Sequence, residues 1–500
     1  MKAVTGSVGL HTGRMLLLAI LALAALSAVL LLGGSDESQA DYSGKVGDLD
    51  YDVTGSTLTI TGNGAIPDYN DPIPYPPWRN DHSITTLVIG DGVTTIGTYA
   101  FFNQGGLTTM TLGKGLTTIK ANAFDGCGGV KTVNVHCENL SDIDPNGISD
   151  LTGITEINFA EGVQLIPVIA TNSTAIPLIT IPASATGIAA NAFSSNKGIE
   201  KLVFKPIHMN RDDGSEVFYS YKAFDIELAE GIETIPGGLF SSLEYLESFD
   251  FPDTLVEIQH GAFTGCGLKS VTLPDSVTTL GSYAFWLCHK LETVTFGAGI
   301  QSIGREAFEE CTSLKSVTIP ATVTHLGEGC FNETASLKDF TFLATSLDNE
   351  FDYMFWCTDH KQTGFVAYFG PGTTVYSNFF AMCDGVTAVT IDSTTIQEKA
   401  FGSPYCVNLK TITFGTNLTS VDESSFRGFE FGDEYGKKID VTPENVCGKT
   451  FVKKDHYEYR LSTDSAMLGN SPEAKEPMYI MLAVVLVIAL GTLAAACRRH

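Results

Sequence analysis

GVTTIGTYAF at residues 92–101 and GLTTIKANAF at residues 115–124 are nearly the same phrase, repeated with a period of about 23 residues. Each copy closes on a phenylalanine, and most later copies follow at similar steps. The closing residues are Phe101, Phe124, Phe193, Phe240, Phe263, Phe285, Phe308, Phe331, Phe355, Phe380, Phe401 and Phe426. A fixed period of this length, with apolar positions in register, indicates stacked units that bury a face only against their neighbours. The phrase therefore predicts a repeat solenoid.

Two longer steps interrupt the period. The step from Phe124 to Phe193 spans three units, and residues 139–148 and 162–171 fall near the missing positions as degenerate copies. The step from Phe193 to Phe240 spans two units, with an insertion around residues 205–216.

One unit, SLKSVTIPATVTHLGEGCF at residues 313–331, indicates how each turn is built. Val317 and Ile319 alternate with polar residues, which is strand spacing with one buried face. Pro320 ends this strand because proline cannot donate to a ladder. We expect one short parallel strand per unit, a second at VTTIG with Gly97 as a turn residue, and a turn or one 3₁₀ turn before the phenylalanine.

The outward positions of these predicted strands carry mostly hydroxyl side chains. They are Thr109, Thr111, Thr132, Asn134, Ser270, Thr272, Thr293, Thr295, Ser316, Thr318, Thr411 and Thr413. Threonine suits exposed strands by β-propensity alone, whereas solenoid faces are also common recognition surfaces. We treat these residues as the candidate binding face.

Two successive units, LKSVTLPDSVTTLGSYAFWLC (268–288) and LETVTFGAGIQSIGREAFEEC (291–311), follow the pattern L-x-x-V-x-I-P-x-x-V-x-x-I-G-x-x-A-F-x-x-C. This pattern resembles the BspA-type leucine-rich repeat, and residues 58–78 resemble the N-terminal cap of such arrays. The resemblance extends from about Leu58 to Phe426. It implies a leucine-rich repeat protein that is displayed on a cell surface and takes part in adhesion to host proteins or other cells. We predict a protein without enzymatic activity that binds extracellular proteins or glycans in adhesion or in contact with cells or a host. The alternative is a structural envelope component without a specific ligand.

Long uncharged runs mark both ends of the chain. Residues 15–32 follow a basic start and precede the polar stretch SDESQA, which indicates an export signal, either cleaved after Ala40 or retained as an anchor. Residues 478–497 are uncharged and stop against two arginines, which indicates a membrane-spanning helix with a cytoplasmic C-terminus. This topology places the repeats outside the cell, on the surface of a single-pass membrane protein.

The predicted organisation follows from these boundaries. It comprises a signal (1–40), an N-terminal β cap (41–83), the repeat solenoid (84–426), a C-terminal cap (427–461), a stalk (462–477), a transmembrane helix (478–497) and a cytoplasmic tail (498–500). The net charge of −27 argues against nucleic acid as a partner.

Six of the 11 cysteines follow their phenylalanine at a nearly fixed offset and form a column in a stack. They are Cys127, Cys266, Cys288, Cys311, Cys383 and Cys406. Neighbouring turns about 5 Å apart would permit disulfides in an exported protein. However, three of these cysteines occupy successive turns, so pairing two would leave the third alone. Small buried thiols are the alternative that the pattern favours.

Motifs for catalysis or cofactor binding are missing from the sequence. H-E-x-x-H, G-x-S-x-G, paired C-x-x-C and G-x-G-x-x-G do not occur. PENVCGKT at residues 443–450 lacks the first glycine of a phosphate loop, and Cys357 and His360 are a pair without two further zinc ligands. We therefore predict no catalytic residue, no metal and no cofactor.

Asparagines in N-x-S/T triplets occur at four positions. They are Asn139, Asn172, Asn332 and Asn417. Such triplets are acceptors for N-glycosylation when they are exposed outside the cell. They also arise by chance in a threonine-rich chain.

Overall fold

The computed structural model describes residues 41–70, 75–79, 81–169, 176–209, 211, 214–218, 222–348, 353–355, 364–381, 383–401, 406–455 and 457–463. The predicted signal, transmembrane helix and cytoplasmic tail lie outside these residues, as does nearly all of the predicted stalk. Within the described ranges, no helix combines the length and apolar character needed to cross a bilayer.

The chain winds into a β-solenoid in which most turns add one strand of three to six residues to a main ladder. An antiparallel meander opens the ladder, and its third strand pairs in parallel with the first repeat. The strands of this first sheet are Tyr42–Val46, Leu49–Thr54, Thr57–Thr61, Thr86–Ile89, Thr109–Leu112, Thr132–Val135 and Glu156–Phe159.

The main ladder continues in two further sheets. The second contains Leu178–Ile181, Lys201–Phe204 and Asp225–Leu228. The third contains Ser270–Thr272, Thr293–Thr295, Ser316–Ile319, Asp339–Phe342, Phe365–Phe369, Val386–Ile391 and Thr411–Phe414, followed by the C-terminal strands Thr450–Asp455, Glu458–Leu461, Glu430–Gly432 and Lys438–Ile439.

A second ladder of shorter parallel strands confirms the prediction made from VTTIG. Its strands are Gly64–Ala65, Val93–Ile96, Thr118–Ile119 and Asp142–Ile143; Leu165–Ile166 and Gly187–Ile188; Thr234–Ile235, Glu257–Ile258, Thr279–Leu280, Ser302–Ile303 and His325–Leu326; and Thr374–Val375, Thr395–Ile396 and Ser420–Val421. The degenerate copies at 139–148 and 162–171 each contribute a strand here, so they are turns of the same stack. The described helices are short, a 3₁₀ helix at Pro145–Gly147 and an α-helix at Pro443–Val446.

Beside the two ladders, most turns contribute one aromatic ring to a column of stacked rings. Consecutive phenylalanine rings such as Phe285, Phe308 and Phe331 lie 5.4 and 5.6 Å apart and nearly parallel. The structure adds two members that the sequence alignment missed. Trp78 stacks on Phe101 at the start of the column, and Phe218 stacks on Phe193 inside the second of the two longer steps. The second of the two longer steps therefore contains an intermediate member of the column, Phe218.

Two backbone features hold the turns at close spacing. The residue two positions before many column phenylalanines adopts a left-handed conformation, for example Tyr283 at φ 60° and Lys399 at φ 55°. Gly97 follows the second-ladder strand Val93–Ile96, and its role differs from the turn residue that the sequence predicts. A Cβ on Gly97 would lie 2.2 Å from the carbonyl oxygen of Pro67 in the preceding turn, so only glycine permits this approach.

The end of the stack is covered by its own strands. Thr450–Asp455 pairs antiparallel with the last repeat strand, Thr411–Phe414. The buried Tyr459 donates from its hydroxyl to the carbonyl oxygen of Leu409 at 2.7 Å. These contacts cover apolar surface that the final turn would otherwise expose.

Candidate binding surface

The predicted outward residues lie side by side on adjacent strands of the main ladder. Thr109 pairs with Thr132, and Thr111 pairs with Asn134. Near the middle of the chain, Ser270 pairs with Thr293, Thr272 with Thr295, and Thr293 with Ser316. The charged outward residues of Lys201–Phe204 and Asp225–Leu228 separate these two groups.

In the N-terminal group, Thr111, Thr132 and Asn134 use their polar atoms for hydrogen bonds within the sheet. Asn134 donates to the Thr111 hydroxyl at 3.3 Å, and Asn158 donates to the Asn134 side-chain oxygen at 3.0 Å. The Thr132 hydroxyl donates to Glu156 at 3.1 Å. These side chains are therefore ordered by their neighbours, and Thr109, Thr111, Thr132 and Asn134 are half-buried.

The central group presents its hydroxyls to solvent, and we name it the hydroxyl patch. It consists of Ser270, Thr272, Thr293, Thr295, Ser316 and Thr318, all exposed. Among the described residues, no hydrogen bond joins these hydroxyls to another group. Strand spacing sets them on a grid of about 4.8 Å between strands and about 6.7 Å along each strand. The patch is thus a regular, rigid array of donors and acceptors.

Alternating charges border the hydroxyl patch at the position before each strand. Lys269 pairs with Glu247 at 2.6 Å, and Lys315 pairs with Glu292. The lysine hydrogen bonds lower the pKa of both glutamates below its ordinary value. The border is therefore close to neutral, and such exposed pairs add little to stability.

Thr411 and Thr413 lie beyond the hydroxyl patch and are half-buried. Their strand pairs with Thr450–Asp455 of the C-terminal end, and the hydroxyls of Thr413 and Thr450 lie 3.0 Å apart. This part of the candidate face is therefore occupied by contacts within the chain.

The cysteine column supports the solenoid from inside. No disulfide joins any of the nine cysteines within the described residues, and most of these cysteines are buried. The Cys288 thiol donates to the carbonyl oxygen of Phe263 in the preceding turn at 3.2 Å, and Cys311 does the same to Phe285 at 3.3 Å. Burial raises the pKa of the Cys288 thiol to about 12, so it stays protonated and unreactive at neutral pH. These thiols join successive turns by hydrogen bonds.

The glycosylation triplets differ in exposure. Asn139 and Asn417 are exposed. Asn332 is only 2% exposed and lies next to the aromatic column, so modification there requires the turn to open. Asn172 lies outside the described residues.

In the described part of the chain, acidic side chains meet in close pairs, such as Asp125 with Asp150 and Glu306 with Glu309. No group of three or more His, Cys, Asp or Glu residues there has metal-binding geometry. Glu309 has a pKa raised to about 7, first because it is partly buried and then because Glu306 is its neighbour. Cys357 and His360 lie outside the described residues.

The repeats described above match the model of a known protein family. The model of the BspA type leucine rich repeat region matches in six copies across residues 73–200, 213–338, 287–401 and 373–432. The chain belongs to the BspA-type leucine-rich repeat family. The matched ranges contain most of the turns that form the paired ladders and the aromatic column. No curated protein matches the chain.

Several solved structures of bacterial leucine-rich repeat proteins are similar to this chain. A leucine-rich repeat protein from Eubacterium ventriosum is 23% identical, with 78% of this chain and 95% of that chain covered and a TM-score of 0.33. One from Bacteroides ovatus is 20% identical, with 75% and 96% covered and a TM-score of 0.38. A leucine rich cell surface protein from Faecalibacterium prausnitzii is 20% identical, with 78% and 93% covered and a TM-score of 0.23.

Proposed function

We propose that this chain is a membrane-anchored cell-surface protein whose hydroxyl patch binds extracellular proteins or glycans in adhesion or cell contact. The observation that carries the proposal is the exposure of six hydroxyl side chains in register on three adjacent strands, with no partner among the described residues. The predicted signal and transmembrane helix supply the cell-surface location.

A rigid hydroxyl array suits ligands that present many weak polar groups. Each hydroxyl both donates and accepts, so it can pair with a sugar hydroxyl, an amide or a backbone carbonyl. The strands already hold the hydroxyls in place, so binding orders few protein groups and loses little conformational entropy. Affinity would then grow with the number of strands that a ligand spans. The role is one of binding without catalysis, with no metal or cofactor.

The test is a binding screen that also reports assembly. The purified full chain is applied to arrays of glycans and extracellular proteins, and its oligomeric state is measured by light scattering in the same buffer. The proposal predicts a monomer that is retained by a defined set of ligands. Ordered self-assembly with no ligand retained would reject it and favour a structural envelope component.

A further inference from the structure

The main ladder has an open interruption between two successive turns. Strand Asp225–Leu228 pairs along one edge with Lys201–Phe204. Along its other edge the next turn presents residues 248–251, which form no strand. Within the part of the chain that the structure describes, no backbone hydrogen bond joins these two segments.

The missing bonds leave donors pointing into this interruption. Asp225 and Ala229 donate backward to the carbonyl oxygens of the preceding turn, each at 2.9 Å. Parallel strands alternate the direction of successive N–H groups, so those of Ile226 and Leu228 face the open edge. In a paired turn the bond equivalent to that of Leu228 runs from Leu273 N–H to the next strand at 2.9 Å. The edge is thus a template for one more strand.

The core side chains at the interruption are also less covered than elsewhere. Leu202 and Phe204, in the preceding strand, are fully buried. Ile226 and Leu228 occupy the same positions one turn later and are only half-buried. The earlier break in the ladder, after Glu156–Phe159, is closed by packing, because most of the flanking core residues there are buried. The open edge therefore exposes part of the core.

A groove of about 570 Å³ lies between strand Asp225–Leu228 and residues 248–251. Phe224, Ile226, Leu228, Leu246 and Phe249 supply its apolar lining. The groove is therefore bounded by an unpaired strand edge on one side and by residues 248–251, which form no strand, on the other.

Carboxylates line the rim of this groove. Asp225, Glu230 and Asp250 belong to the lining, and in the described residues no cation forms an ion pair with any of them. Glu227, by contrast, pairs with Lys201 at 2.5 Å. The rim is therefore negatively charged and complementary to a basic ligand.

We propose that this groove binds an extended, basic peptide segment of a partner protein, which adds a strand to the open edge of Asp225–Leu228. The peptide's backbone pairs with the N–H groups of Ile226 and Leu228, which is recognition by strand addition. Its alternate apolar side chains cover the exposed core, and its other side chains place lysine or arginine beside Asp225 and Asp250. The site is separate from the hydroxyl patch, so either can fail without the other.

The probe is a short synthetic peptide of alternating lysine and valine, added to the full chain. Fluorescence polarisation of the labelled peptide measures binding, and hydrogen exchange locates it. We expect saturable binding and slower exchange, by about tenfold, of the Ile226 and Leu228 amides. An acidic peptide of alternating glutamate and valine, and the basic peptide methylated at its backbone nitrogens, should each bind at least about tenfold more weakly.

Charge reversal at the rim tests the same site without disturbing the core. Asp225→Lys combined with Asp250→Lys should weaken binding of the basic peptide about tenfold or more. Glu398→Lys reverses an exposed carboxylate in a distant turn and should leave binding unchanged. Equal binding of the acidic peptide, or no change in exchange at Ile226 and Leu228, would overturn the proposal. So would protection of those amides that rises with protein concentration alone, which would assign the edge to a second copy.

Discussion

Removing one ring from the middle of the aromatic column should cost more than removing a phenylalanine beside it. Phe308 is fully buried and stacks between Phe285 at 5.4 Å and Phe331 at 5.6 Å. Truncating a buried phenylalanine to alanine lowers the free energy of unfolding by about 3–5 kcal/mol. For Phe308→Ala this loss includes two ring pairs, each of which contributes about 0.5–1.5 kcal/mol. The backbone bonds from Phe285 to Ala307 at 2.9 Å and from Phe308 to Cys330 at 3.0 Å fix the spacing of the turns. The cavity cannot close, so we expect about 4–5 kcal/mol, the upper part of the range.

The matched control is Phe102→Ala, one residue beyond the column. Phe102 is half-buried, meets Tyr99 edge-on at 5.5 Å and lies 5.0 Å below Arg79. Its removal should cost about 1–1.5 kcal/mol. Guanidinium unfolding followed by circular dichroism compares both variants with the parent. Hydrogen exchange reports whether turns next to Phe308 open first, since repeats unfold through their neighbours. A loss for Phe308→Ala no greater than for Phe102→Ala would refute the role of the column.

Three further changes test the backbone and the thiols. Gly327→Ala places a Cβ 2.2 Å from the backbone nitrogen of Arg305 and should lower the midpoint of guanidinium unfolding sharply. Gly105→Ala is the control, because the nearest atom to its new Cβ lies 3.8 Å away, and it should shift the midpoint little. Lys399→Gly removes the steric strain of an exposed residue in the left-handed conformation, so it should raise the free energy of unfolding by about 1 kcal/mol in the same assay. A decrease would contradict this conformational argument. Burial raises the Cys288 pKa from 9.0 to about 12. The unfolded chain therefore releases this proton first, so the thiol's contribution to stability is complete below pH 9 and is lost as pH rises toward 12. Midpoints measured from pH 8 to 11 should fall less steeply in Cys288→Ala, and parallel curves would exclude this contribution.

The period of the sequence predicts most of the fold because the turns repeat the same pattern of buried apolar residues. The same period contains signals for the two missed column members. Trp78 lies one period before Phe101, and Phe218 lies close to one period after Phe193. Neither residue was predicted as a column member, because neither one closes a copy of the repeated phrase. The glycine contacts were not predictable in this way, because they depend on how closely the preceding turn approaches.

The sequence predicts the candidate face less completely than the fold. Thr109 and Thr111 have the same spacing as Ser270 and Thr272, yet the first pair is half-buried and the second exposed. The neighbouring strand contributes to this difference at Thr111, because Asn134 donates a hydrogen bond to its hydroxyl. The open edge at Asp225–Leu228 was also not predictable, since residues 248–251 alternate apolar and polar positions as a paired strand does. Pairing depends on the geometry of the next turn.

The most direct test of the proposed binding role is to block the hydroxyl patch at its centre. Thr295→Arg projects a long cation from the middle strand, whereas Thr322→Arg alters an exposed threonine outside the main ladder. Both variants of the full chain are applied to the same glycan and extracellular protein arrays as the parent. The account predicts that Thr295→Arg lowers retention of the parent's ligands by about tenfold or more while Thr322→Arg retains them. Equal retention by both variants would contradict the assignment of binding to the hydroxyl patch.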